Sequence, residues 1–119
     1  MQIQINTDHN IEGHEALAAQ VRGVVESTLS HFSDHITRVE VHLSDESSHK
    51  TSQNDKRCMM EARLEGRQPI AVTDEEATVA QAVDGAAGKL ARLIESTLGR
   101  QRVERSHRTD PPPPGSVSN

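Results

Sequence analysis

The sequence predicts an α+β fold of order β-α-β-β-β-α, a four-stranded sheet with two helices packed on one face. Three observations carry this expectation. Four short segments alternate apolar and polar residues, two longer ones repeat apolar residues every three or four positions, and each of the six thus has a single apolar face. Elements with one apolar face each are buried most economically as two layers, helices over one side of a sheet. The core must be aliphatic, because apolar residues make up 33% of the 119 and Phe32 is the one aromatic side chain apart from histidines.

Gln2-Ile3-Gln4-Ile5-Asn6 alternates as a half-buried strand should. After a polar turn around Asp8, His9 and Asn10, the residues Leu17, Val21, Val24, Val25, Thr28, Leu29 and Phe32 trace one helical stripe from about Gly13, a weak N-cap, to Phe32. From Ile36 to Leu43 alternation returns, with Val39, Val41 and Leu43 on one face and Arg38, Glu40 and His42 on the other. The apolar-free stretch Ser44 to Asp55 reads as a loop. Beyond it Cys58, Met60, Ala62 and Leu64 point inward, and Arg57, Met59, Glu61 and Arg63 outward. Glu65 to Gln68, around Gly66, makes a tight connection to a short last strand, Pro69 to Val72, and a proline there suits a strand end or edge. If the first two strands pair in parallel, the crossover between them should be right-handed.

Thr73-Asp74-Glu75-Glu76 has the spacing of a capping box, so the second helix is expected to start there, with three acids at its positive end. Val79, Val83, Ala86, Leu90, Leu93 or Ile94, and Leu98 form its core stripe, leaving Lys89 and Arg92 on or beside the solvated face. The helix should end near Leu98 or Arg102, with Gly99 a fraying point. Residues 1–102 are then the folded domain, and residues 103–119 a disordered tail, basic first and proline-rich after Asp110. The expected core is Leu17, Val21, Val41, Cys58, Met60, Leu64, Val83 and Leu90.

The net charge of −5 is distributed unevenly. Residues 1–88 hold seven basic against fifteen acidic side chains, whereas residues 89–108 hold six basic against two acidic. Positive charge thus gathers on the second helix and its continuation, at Lys89, Arg92, Arg100, Arg102, Arg105 and Arg108. Cations favour a helix C-terminus only within its last turn, so Arg105 and Arg108 exceed what that effect explains.

Enzyme chemistry finds no support. There is no glycine-rich phosphate loop, nucleophile elbow or Cys/His nucleophile arrangement; Asp74-Glu75-Glu76 have a capping role and Asp45-Glu46 lie in a solvated loop. The lone Cys58 excludes an intrachain disulfide and four-cysteine zinc sites. Seven histidines invite a metal, but His31 and His35 straddle a helix end without a third ligand, His9 and His14 lie near a turn, and His42 is on the exposed sheet face. Neither metal nor cofactor is expected. No apolar run is long enough to span a bilayer and no secretory leader is recognisable, so a cytoplasmic protein is expected.

The element order, the opening Met1-Gln2-Ile3-Gln4-Ile5, Glu15-Ala16-Leu17, Val39-Glu40-Val41-His42-Leu43 and above all Ala82-Val83-Asp84-Gly85-x-x-x-Lys89-Leu90-Ala91-Arg92 resemble the ribosome hibernation-promoting factor/RaiA family, also called sigma modulation proteins or S30AE domains. The resemblance covers roughly residues 1 to 102. It implies a non-enzymatic, stress-responsive translation inhibitor that sits on the small ribosomal subunit near the decoding region and contacts 16S-type ribosomal RNA through basic residues on the helices. Lys89 and Arg92 match basic family positions; Arg22, Lys56, Arg57, Arg63, Arg100 and Arg102 complete the expected RNA-binding set. The implied partner is the small subunit, with at most weak self-association and no membrane or small-molecule substrate. The absence of exposed aromatics directs any RNA contact to phosphate and shape. The alternative is a regulatory protein-interaction module on the same fold with weakened or lost RNA binding, consistent with an acidic body and a first helix offering Arg22 alone against Glu15 and Glu26.

Overall fold

A computed structural model of the chain describes residues 1–8, 14–45 and 55–109, with the backbone alone for His14 and residues 100–109. Its elements are β1 (Gln2–Thr7), α1 (His14–Thr28), a single 3-10 turn at Ser30–Phe32, β2 (Ile36–Asp45), β3 (Lys56–Leu64), β4 (Ile70–Glu76) and α2 (Val79–Thr109). The sheet has the order β1-β2-β3-β4. β1 runs parallel to β2, reached through α1, while β2, β3 and β4 form an antiparallel meander. This is the expected α+β architecture.

Alternation decides what each strand buries. Val39, Val41 and Leu43 of β2, Cys58, Met60, Ala62 and Leu64 of β3, and Val72 of β4 lie under the helices. Ile36 is buried too, although its parity differs, because the register shifts between Ile36 and Arg38. Above them α1 contributes Val21 and Val25, and α2 contributes Ala82, Val83, Ala86, Ala87, Leu90 and Ile94. Of the eight expected core residues seven are buried and Leu17 is half-buried at the margin. Ile94 rather than Leu93 takes the core position, Leu93 being 44% exposed.

Several boundaries differ from the sequence reading. β2 runs on through Ser44 and Asp45, given there to the loop, because both pair with β3. The first helix ends at Thr28 and gives way to the 3-10 turn, so the stripe to Phe32 spans two elements. Thr73 to Glu76 belongs to β4, not to a helix cap. The helix is capped five residues later by Thr78, whose Oγ1 accepts the Gln81 N–H at 3.1 Å and donates to Gln81 Oε1 at 3.2 Å. Thr73-x-x-Glu76 and Thr78-x-x-Gln81 satisfy the same pattern, and strand pairing took the first, since Asp74 and Glu76 sit opposite Cys58 and Lys56 in the ladder. Finally, α2 continues past Arg102 to Thr109, two residues before Pro111 bars further helix. Gly99 does not end it. Gly13, the turn expected at His9 and Asn10, residues 46–54 of the expected loop and residues 110–119 of the expected tail lie outside the described residues.

Candidate nucleic-acid interface

The expected basic residues divide between two faces and two electrostatic conditions. Arg22 is exposed on α1 and Arg92 on α2, within the helical layer. The helices meet through Leu17, Gln20, Val21 and Val24 of α1 against Ala80, Val83 and Asp84 of α2. Arg22 lies about 200° round the helix from Gln20, on the flank turned away from α2. Neither Arg22 nor Arg92 has an ion-pair partner among the described residues.

Arg57 and Arg63 project from the opposite, open face of the sheet. That face carries Arg38, Arg57 and Arg63 together with Glu40, Glu61 and Glu75, so its arginines and glutamates balance. Arg38 pairs with Glu40 at 3.6 Å and also donates to Gln4 Oε1; Arg63 approaches Glu61 at 3.8 Å. A charge-balanced surface without Phe, Tyr or Trp offers little to a polyanion.

Lys56 has the inward parity of β3 and is drawn into an acidic pair at the sheet's end, 2.8 Å from Asp55 and 3.4 Å from Asp45. The hydrogen bond to Asp55 is the main reason its pKa rises above the ordinary lysine value.

Lys89 keeps the solvated position expected of it, but its charge is engaged within the fold. Its Nζ donates to Asp74 Oδ1 at 2.9 Å and to the Thr73 carbonyl at 3.0 Å, fastening α2 to β4. Asp74 is the one buried charged residue among those described, 8% exposed, and its Oδ2 is enclosed without a hydrogen-bond donor. Gly85, one turn before Lys89, makes room for it: a Cβ there would strike the Asp74 carboxylate, meeting its Cγ at 2.7 Å. The Asp-Gly-x-x-x-Lys run is thus a cradle, with Gly85 giving space and Lys89 giving charge to a carboxylate from the sheet.

Two further groups feel that carboxylate. Glu76, two residues on along β4, has its pKa raised by hydrogen bonding to Asp74 and then by the Asp74 charge. Cys58, fully buried opposite Asp74 in the ladder, is pushed up to about 12, mainly by burial and secondly by Asp74. Such a thiol is inert.

Asp74 was overlooked in the sequence because it fitted a cap. The available signal was parity: Ile70, Val72 and Asp74 continue one inward alternation, and a lone acid at an inward position needs a cation. Arg100 and Arg102 lie within the α2 backbone, and their side chains fall outside the described residues. Among the described residues no cluster of three His, Cys, Asp or Glu side chains could hold a metal, and no helix is long and apolar enough to cross a membrane.

Known proteins supply an independent comparison. Residues 3–102 match the family model described as Sigma 54 modulation protein / S30EA ribosomal protein. The Protein Y N-terminal domain of Thermus thermophilus superposes with a TM-score of 0.60 at 23% identity, covering 82% of this chain and 99% of that one. A ribosomal subunit interface protein from Coxiella burnetii gives 0.62 at 19%, covering 83% and 99%. At these identities both structures speak to the fold. The comparison with curated proteins found no match.

Proposed function

Since the chain belongs to the Sigma 54 modulation protein / S30EA ribosomal protein family, a family of ribosome-associated factors, we propose that it is a hibernation factor that occupies the small ribosomal subunit near the decoding region and blocks translation without catalysis. The observation that carries this is the family match over residues 3–102. The helical layer is its RNA-facing side: Arg92 and the continuation of α2 with Arg100 and Arg102 meet phosphates, because residues 89–108 hold six basic against two acidic residues where the sheet face balances its own, and Arg22 of α1 joins them as a cation without an ion-pair partner among the described residues. Lys89 and Lys56 have their charges taken up by acids of the fold, Asp74 and the Asp45/Asp55 pair. Arg57 and Arg63 are peripheral.

Co-sedimentation with purified small subunits, large subunits and intact ribosomes at two salt concentrations tests the reading. Wild type should pellet with small subunits and intact ribosomes, and Arg22→Gln with Arg92→Gln should weaken pelleting without shifting the thermal melt. By the duplex-DNA calibration each lost phosphate contact lowers the slope of log affinity against log salt by about 0.9. Preference for large subunits, or a double variant that pellets like wild type, would overturn the assignment. A second reading, a protein-interaction module with lost RNA affinity, is favoured by the acidic excess of residues 1–88, and absence of pelleting at low salt would select it.

A further inference from the structure

Between β3 and β4 the chain reverses with Gly66 in the left-handed region, at φ 71°, and the Arg67 N–H donating to the Leu64 carbonyl at 3.2 Å. This turn and the C-terminal half of α2 border an open hollow of about 760 Å³, lined by Gly66, Arg67, Gln68, Pro69, Ile70 and Thr97. Its lining holds one guanidinium, an amide and a hydroxyl, and no carboxylate.

Arg67 differs from the other half-buried cations. Arg38 and Lys56 each have a carboxylate within 4 Å, as do the more exposed Arg63 and Lys89. Arg67 pairs with no acid among the described residues, and its Nη2 is enclosed without an acceptor. A guanidinium partly withdrawn from water with no counter-charge is unfavourable until an anion arrives. Packing around Nη2 also fixes the guanidinium, so that an oxyanion entering the hollow meets a charge already held in place and its remaining N–H groups rather than a free side chain. The hollow further adjoins the segment where positive charge accumulates. α2 runs back along β4, so that Thr97 faces Ile70 across the hollow, and the run of arginines begins three positions later at Arg100.

We infer that this hollow is a phosphate site that takes a phosphodiester of ribosomal RNA, with Arg67 as its anchor and Gln68 and Thr97 as neutral donors; this rests on the ribosome-binding reading above. It extends the RNA footprint from the helical layer round to the β3–β4 turn, a place that no helix-based motif indicates.

The test uses the full chain carrying Arg67→Gln, or Arg67→Lys, which keeps the charge but loses the packed, planar guanidinium. Both are sedimented with small subunits over a salt series, with thermal melts to verify folding. Arg67→Gln should bind several-fold more weakly and lose about 0.9 from the salt slope. Arg67→Lys should keep the slope but lose affinity, and it keeps the comparison readable if the glutamine loosens the turn. A parallel titration of the free chain with inorganic phosphate, followed by amide NMR shifts at Gly66 to Gln68, should give Arg67-dependent shifts. If wild type pellets and both variants match it in affinity and slope, the phosphate site is overturned while the ribosome reading stands. If wild type does not pellet, the ribosome reading fails and takes the RNA phosphodiester with it; Arg67-dependent phosphate shifts would then assign the hollow to a free phosphate instead.

Discussion

Lys89 on α2 and Asp74 on β4 are joined at 2.9 Å across the helix–sheet interface, with Lys89 side chain 45% exposed and Asp74 9%. The lysine therefore has a stabilising task that any binding assay on its variants will also report. Lys89→Met should leave Asp74 buried without its cation and cost about 1–3 kcal/mol, the penalty of an unsatisfied buried group. Urea denaturation followed by circular dichroism measures it. Adding Asp74→Asn should recover part of the loss, and strictly additive costs would mean that the pair is not coupled. Charge reversal at Lys89 would set a second carboxylate against Asp74, so Arg92 is the cleaner probe of RNA contact.

The two helical glycines nearest this pair should respond oppositely to alanine. Gly88 has open space where a Cβ would go, so Gly88→Ala should stabilise by up to ~1 kcal/mol through helix propensity. At Gly85 the new methyl would overlap the Asp74 carboxylate, and the cost of overpacking, about 1–3 kcal/mol, should exceed that gain. Paired thermal melts read the sign directly. Equal stabilisation at both sites would show that α2 does not press on Asp74.

Glu76 sets a pH dependence of definite sign. Its folded pKa lies above the ordinary 4.5, with Asp74 as the first cause, so the native state holds this proton more tightly than the unfolded chain does. Stability from Glu76 is therefore full below about pH 4.5 and is lost as pH rises through the raised folded value. Glu76→Gln should melt higher than wild type at pH 7, with the advantage shrinking as pH falls towards 4. A difference that stays constant from pH 4 to 7 would detach Glu76 from Asp74.

Cys58 should be invisible to thiol reagents in the native state. It is fully buried and its pKa is pushed up to about 12, so iodoacetamide at pH 8 should label it only as fast as the chain opens. Labelling over a urea series should track the loss of circular dichroism. Rapid alkylation in buffer alone would contradict the position of β3 between β2 and β4.

How much of this was legible follows from what each element had to satisfy. β2 and β3 were readable residue by residue because strict alternation admits only one face to the core. The stripe of α2 was readable for the same reason, down to Val83 and Leu90. β4 was readable only as far as Val72, because its alternation then passes to Asp74 and Glu76, which composition assigns to a helix start, and only pairing with β3 decides otherwise. Among the basic residues the sequence supplied identity and density but not partners. That Lys56 and Lys89 are held by acids distant in sequence, whereas Arg22 and Arg92 are not, depends on tertiary placement. Arg67 drew no notice because a lone arginine beside a glycine looks like any solvated turn.

β4 is an outer strand, hydrogen-bonded on one side by β3, and such strands can recruit a foreign strand and seed aggregates. Here its final turn towards α2 is Asp74-Glu75-Glu76, three consecutive acids. A second molecule adding its own β4 to that edge in parallel register would set Glu75 and Glu76 against their own copies, like charge against like. The residues that mimic a helix cap in the sequence thus also act as gatekeepers, keeping the exposed edge of a small aliphatic sheet from polymerising with its own copies.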